Sequence, residues 1–208
     1  MRHRISLNYF YSLPFGTGQR WWNSGVLARA FGGWRLGGIL SLRSGTPFTA
    51  TVSVRTPGYL FAATQPDLRS DRSNNPISGV SSGCQDSRTG QAVVEAGRRL
   101  GGPDLYFDPC SFAVPLPGTI GNAGRNTLIS PWVFNADVSL QREFNVDSKR
   151  RLQFRAEFFN VPNRANFGRV LSGVFSGAFP GRLNPTAGRI NSTITTSRQI
   201  QFALRFSF

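Results

Sequence analysis

The last ten residues constrain the fold more than any other stretch of the chain. In Gln199-Ile200-Gln201-Phe202-Ala203-Leu204-Arg205-Phe206-Ser207-Phe208, every even position is large and apolar. The odd positions are Gln, Gln, Ala, Arg and Ser. Successive side chains of a strand point to opposite faces, so this run is a ribbon with one greasy side and one polar side. A helix would scatter the same residues around its circumference. The length also matches the roughly 9–11 residues with which a tilted strand crosses a bilayer.

The same parity recurs upstream. Over 132–144, Trp132, Phe134, Ala136, Val138, Leu140 and Phe144 share one face, opposite Asn135, Asp137, Ser139 and Gln141. Arg142 is the exception on the apolar side, near a strand end where a long side chain snorkels. Over 150–161, Leu152, Phe154, Ala156 and Phe158 oppose Arg151, Gln153, Arg155 and Glu157. The short polar link 145–150 between these two runs predicts an antiparallel hairpin. Residues 3–13 alternate likewise through Ile5, Leu7, Tyr9 and Tyr11, and a longer strand is expected over 34–54. Ser24–Phe31 has the pattern of a short amphipathic helix. The stretches 55–131 and 162–198 show no sustained period, apart from a short strand expected at Gly188–Ile194.

Composition narrows the class further. With 23 Gly, 13 Pro, 18 Phe and a single lysine, Lys149, the chain is turn-rich and poor in helix-surface residues. That excludes a helical bundle or coiled coil. Two architectures remain: a soluble β-sandwich binding module, or part of an outer-membrane barrel. Mid-strand Arg, Gln and Glu suit a polar lumen. Aromatics cluster at strand ends (Tyr9, Tyr11, Trp34, Trp132, Phe144, Phe208), and the connections split into short and very long, as the two rims of a membrane barrel do. The expected fold is therefore all-β, an antiparallel meander of about five strands forming part of a transmembrane β-barrel with long extracellular loops.

The net charge of +14 invites a nucleic-acid reading. The 23 arginines, however, are scattered singly apart from Arg98-Arg99 and Arg150-Arg151, with no basic helix, and no nucleic-acid partner is expected. Cys84 and Cys110 lie in one Gly/Ser/Pro-rich stretch without a nearby histidine, which leaves a loop disulfide or two free thiols. No catalytic constellation is visible, so neither enzyme activity nor a cofactor is expected. His3 is the lone histidine, Asp104 and Asp108 read as turn formers rather than calcium ligands, and the Gly-rich pieces at Gly16–Gly18 and Gly121–Gly124 lack the lysine of a phosphate loop. Arg35, Arg151, Arg155, Glu157 and Arg205 are expected to face the lumen, paired with one another or with plug residues.

The C-terminal run resembles the assembly signal of Gram-negative outer-membrane barrels, with Phe206 and Phe208 as the hydrophobic pair, Gln201 at the polar position, and Ala203 where glycine is frequent. Other blocks resemble the C-terminal end of TonB-dependent receptors of the Oar-like type. They are Gly32-Gly33-Trp34-Arg35-Leu36-Gly37-Gly38-Ile39 with Ser44-Gly45-Thr46-Pro47-Phe48; Phe107-Asp108-Pro109-Cys110-Ser111-Phe112; Pro117–Asn126; and Leu152-Gln153-Phe154-Arg155-Ala156-Glu157-Phe158-Phe159-Asn160. The resemblance implies energy-coupled uptake of a large nutrient, a ferric chelate or a glycan, in the outer membrane. It implies lipid and lipopolysaccharide as surroundings, the barrel-assembly machinery as a partner, and TonB contact only through regions N-terminal to this chain. With Phe208 at the periplasmic rim, the turn 145–150 is periplasmic, and 55–131 and 162–198 are extracellular. The segment 14–33 is long for a periplasmic turn. Such receptors need a plug and about 22 strands, so a fragment of a larger barrel, not transport-competent alone, is expected.

Overall fold

In the computed structural model, which describes residues 2–22, 24–55, 65–72, 76–86 and 89–208, the alternating runs pair into one antiparallel sheet. Its strands are β1 (Arg4–Ser12), β2 (Trp34–Arg43), β3 (Val133–Asn145), β4 (Arg151–Phe159) and β5 (Gln199–Ser207). They lie side by side in chain order, a meander of five. The sheet is open: β1 and β5 each pair on one side only among the described residues.

Register decides whether alternation within each strand adds up to a two-faced sheet, because a slip by one residue would flip a strand's apolar set to the other side. No slip occurs. One row across the sheet reads Tyr11, Leu36, Leu140, Ala156, Phe202; another reads Tyr9, Gly38, Val138, Phe158, Ile200. The alternate rows carry the polar and charged set, as in Arg35, Gln141, Arg155, Ala203, although Phe10, Ile39 and Phe159 also fall on that side. Two glycines of β2 make room for β1 aromatics. A Cβ at Gly38 would stand 2.5 Å from Tyr9 Oη, and one at Gly37 would stand 3.2 Å from Phe10 Cδ2.

The chain divides into two compact units. The sheet, with residues 13–33 and 160–166, forms one. The other comprises Gly45–Pro131 and Phe167–Ile194 with the extreme N terminus. The first is almost without a core; Ala28, Val133 and Ala156 are its buried apolar residues. The second has the core of a water-soluble domain, with Phe107 fully buried against Phe112, Leu128, Val170 and Val174. Its strands are short: Thr51–Arg55 runs parallel to Gly173–Ala178, which pairs with Arg182–Leu183. Two-residue ribbons join Pro47–Phe48 to Leu128–Ile129 and Asp67–Leu68 to Phe112–Ala113.

Three expectations change here. The strand expected over 34–54 stops at Arg43, and Thr51–Arg55 belongs to the other unit. The break is steric: Gly45 lies so close to Ser130 O that any Cβ would overlap it, and Pro47 follows. The stretches read as period-free loops are ordered by elements of two to six residues, too short for periodicity to register; residues 56–64, 73–75 and 87–88 of the first stretch, and Met1, lie outside the described residues. Gly188–Ile194 is not a strand. Gly188 takes a φ of +78° against Phe107, and only single bridges form, at Ile190 and Thr193. The helix read at Ser24–Phe31 is present as α1 (Gly25–Phe31).

Candidate functional site

The two faces of the sheet form the site. On the apolar face, Ile5, Leu7, Tyr11, Ile200, Phe202, Leu204 and Phe206 are all more than half exposed. An exposed apolar surface of this extent is the mark of a lipid or protein interface. Aromatic–arginine pairs bound it at both rims. At one, the Arg164 guanidinium lies 3.7 Å from the Trp132 ring centre. At the other, Arg142 lies 4.2 Å from the Phe144 ring and 5.8 Å from Trp34. From Trp132 to Arg142 the chain advances about 33 Å along β3, which at a tilt near 40° is about 25 Å of membrane normal, the height of a barrel's apolar band. Arg142, the one charge on this parity, also donates to the carbonyls of Arg29 and Ala30 at the end of α1.

The opposite face is the polar one. Register places Arg35, Arg151, Arg155, Glu157 and Arg205 on it. Arg155 Nη2 is 3.4 Å from Glu157 Oε1, and Arg151 Nη1 is 3.6 Å from Glu143 Oε1. Arg35 and Arg205 form no ion pair among the described residues. Both open clefts toward the 146–150 turn include Glu143, Arg151 and Gln153. The first, about 450 Å³, adds Arg35; the second, about 370 Å³, adds Lys149 and Arg205. In Phe206 and Phe208 the ring centres are 6.1 Å apart, and Gln201 lies opposite Glu157 on the polar face.

An asparagine network at the opposite end of the sheet went unread in the sequence. Asn160, Asn163 and Asn166 recur every third residue around Pro162, just after β4. Buried Asn160 donates through Nδ2 to the carbonyls of Arg164 and Thr196, and its Oδ1 accepts from Arg164 N–H. Its own N–H donates to Asp137 Oδ1, which also accepts from Asn135. Asn166 bonds both Phe134 N–H and Phe134 O, closing the start of β3 as a neighbouring strand would. Asn163 Oδ1 accepts from Arg198 N–H. The signal was present: short amides that tolerate the left-handed region, spaced around a proline, mark turn chemistry. Of these groups Asn135, Asp137 and Asn160 line an open cleft of about 350 Å³ with Gln199 and Gln201.

In the second unit, Cys84 and Cys110 are bonded, with sulfurs 2.01 Å apart. Beside them, buried Asp108 accepts from Ser81 Oγ at 2.8 Å and from Cys110 N–H at 3.1 Å, and it caps the short helical turn Pro109–Ser111. Its carboxylate is thus occupied by protein donors, whereas Asp104 is exposed. No group of three or more potential metal ligands occurs among the described residues. Burial pushes the Tyr106 phenol upward from its ordinary value, while its hydroxyl donates to Ile129 O at 2.7 Å. Hydrogen bonding from Arg69 holds the exposed Asp71 carboxyl below its usual range.

Comparison with known families decides between the two architectures. Residues 1–201 match the family described as outer membrane beta barrel domain. The chain belongs to that family. It is accordingly an outer-membrane barrel protein, and its site is the two-faced strand sheet rather than a sandwich interface. No curated protein and no solved structure matches the chain. No described helix is long and apolar enough to cross a membrane; the barrel crosses with strands.

Proposed function

We propose that this barrel chain forms part of a TonB-dependent receptor, taking up a large scarce nutrient, a ferric chelate or a glycan, by energy-coupled transport. The observation that carries the reading is the preserved parity across five strands. It gives a membrane-scale apolar face backed by Arg35, Arg151, Arg155, Glu157 and Arg205 on what becomes the lumen side. The receptor-like blocks, of which Leu152–Asn160 coincides with β4 and the asparagine that ends it, supply the finer assignment. Free backbone groups at a sheet edge cost several kcal/mol each in hydrocarbon, so further strands close the barrel beyond β1 and β5. The short 146–150 turn is periplasmic, and the long stretches 55–131 and 162–198 are extracellular, where they meet lipopolysaccharide and substrate. Phe206 and Phe208, with Gln201, serve as the signal read by the barrel-assembly machinery, and TonB engages regions other than this chain. The role is transport without catalysis, and no nucleic acid takes part.

Uptake of a ferric chelate or glycan by cells producing the full-length polypeptide tests this directly. Uptake should stop when the TonB system is inactivated while barrel assembly is unchanged. Uptake that continues without TonB, or passive flux of small solutes through the purified barrel, would refute the receptor reading and leave an ordinary pore.

A further inference from the structure

The segment between β1 and β2 has no place in the transport reading, yet it is folded. Gly16 N–H donates to Trp21 O at 3.2 Å and Trp21 N–H to Pro14 O at 3.0 Å. Phe15 stacks on Trp22 with ring centres 5.0 Å apart, and Trp22 meets Phe31 at 5.3 Å. Gly16 and Gly32 approach so closely that a Cβ on Gly16 would stand 2.5 Å from Gly32 Cα. Despite this order, the segment buries almost none of its large apolar groups: Val26 is 81% exposed, Trp21 and Leu27 are each 52%, and Trp22 and Phe31 are 49% and 48%. A helix of seven residues gains little stability from its own hydrogen bonds in water, so this surface needs a partner.

We propose that residues 14–22 and 24–31 form an interfacial foot, seated among the phospholipid headgroups at the short-turn rim, with Trp21, Trp22, Val26, Leu27 and Phe31 entering the membrane. This rests on the apolar face of the sheet being the lipid face. Three observations select phospholipid as the partner. Arg142, which belongs to the apolar face and stacks on Phe144, donates to the carbonyls of Arg29 and Ala30, which ties the C-terminal end of α1 to the lipid side of the sheet at its rim. The segment carries Arg20 and Arg29 and no acid, a charge complementary to lipid phosphate, which the guanidinium fork fits well. Its exposed groups include two tryptophans, the side chain most favoured where hydrocarbon meets headgroups. Unlike an aromatic girdle built from strand residues, this contact comes from a connection, and it explains why the connection is long. It fixes the depth of the β1–β2 pair in the bilayer.

The four tryptophans, Trp21, Trp22, Trp34 and Trp132, allow a direct test. The full-length polypeptide, with any tryptophan outside these 208 residues replaced by phenylalanine, is folded into phosphatidylcholine vesicles whose acyl chains are brominated either near the headgroup or near the chain end. In the W34F/W132F variant, fluorescence from Trp21 and Trp22 should be quenched roughly twofold by the shallow bromines and little by the deep ones, as expected for a group about 5–10 Å into the boundary. In the W21F/W22F variant, the remaining tryptophans report whether the sheet itself is in lipid. Quenching in the second variant without quenching in the first overturns the foot alone; absence of quenching in both overturns the lipid-face assignment and the foot with it. An environment-sensitive dye on V26C, the sole free thiol of these 208 residues because Cys84 and Cys110 are bonded, gives an independent reading. A blue shift in vesicles supports insertion, and emission characteristic of water refutes it.

Discussion

Asn160 occupies a left-handed backbone position, φ +48°, at the end of β4, with its side chain buried and all its amide atoms used. Alanine there leaves the Arg164 N–H and two carbonyls without partners, at about 1–3 kcal/mol per buried group, and adds the cost of a Cβ in a conformation that asparagine tolerates better. Asn160→Ala is therefore expected to lower unfolding stability by about 3 kcal/mol, measured as a shift of the denaturant midpoint in detergent. A loss under about 1 kcal/mol would show that water replaces the amide freely. Tyr106 adds a pH-dependent effect. Burial favours its neutral phenol, so the folded value lies above the unfolded one near 10. The contribution is full below that value and is lost as pH rises from the unfolded to the folded value. Spectrophotometric titration should show a tyrosine ionisation step above the ordinary phenol range, and that step should vanish in Tyr106→Phe.

At the scale of elements, legibility followed from the physics of each segment. β3, β4 and β5 were readable to within a residue or two because a half-buried strand writes its environment in a period of two, and nine to thirteen residues repeat it several times. That the charges share the polar face was readable for the same reason, since parity plus pairing fixes which side of the sheet they take. The end of β2 was not, because Leu42 and Phe48 keep the same parity across a break that only a close approach to Ser130 explains. The ribbons of the second unit were invisible: two residues carry no period, and their partners lie far along the chain, as with Phe48 opposite Leu128. The asparagine network was missed for a related reason. Asn160 and Asn166 act on backbone groups of Thr196 and Phe134, across separations that alternation cannot encode.

Across the whole molecule the two units are held by different solvents. The second unit hides Phe107, Val174 and Leu128 from water, so the ordinary hydrophobic effect stabilises it, helped by a disulfide. The sheet exposes its apolar face and is almost without a core, so its stability must come chiefly from strand pairing and from lipid. Breaking the disulfide should separate the two. The Cys84–Cys110 bridge spans 26 residues of sequence, and the loop-entropy relation for a closure of that size gives about 3.5 kcal/mol. The double substitution Cys84→Ala/Cys110→Ala avoids a stray thiol and removes that constraint from a segment whose own core is small, Val94, Leu100 and Leu105. With this segment extracellular as proposed, protease added outside intact cells should then cleave between residues 76 and 113 much faster than in the parent, while β1 to β5 remain membrane-protected. Equal loss of protection in both units would mean that they unfold as one. Unchanged protection would mean that Asp108 and its serine partners hold the segment without the bridge.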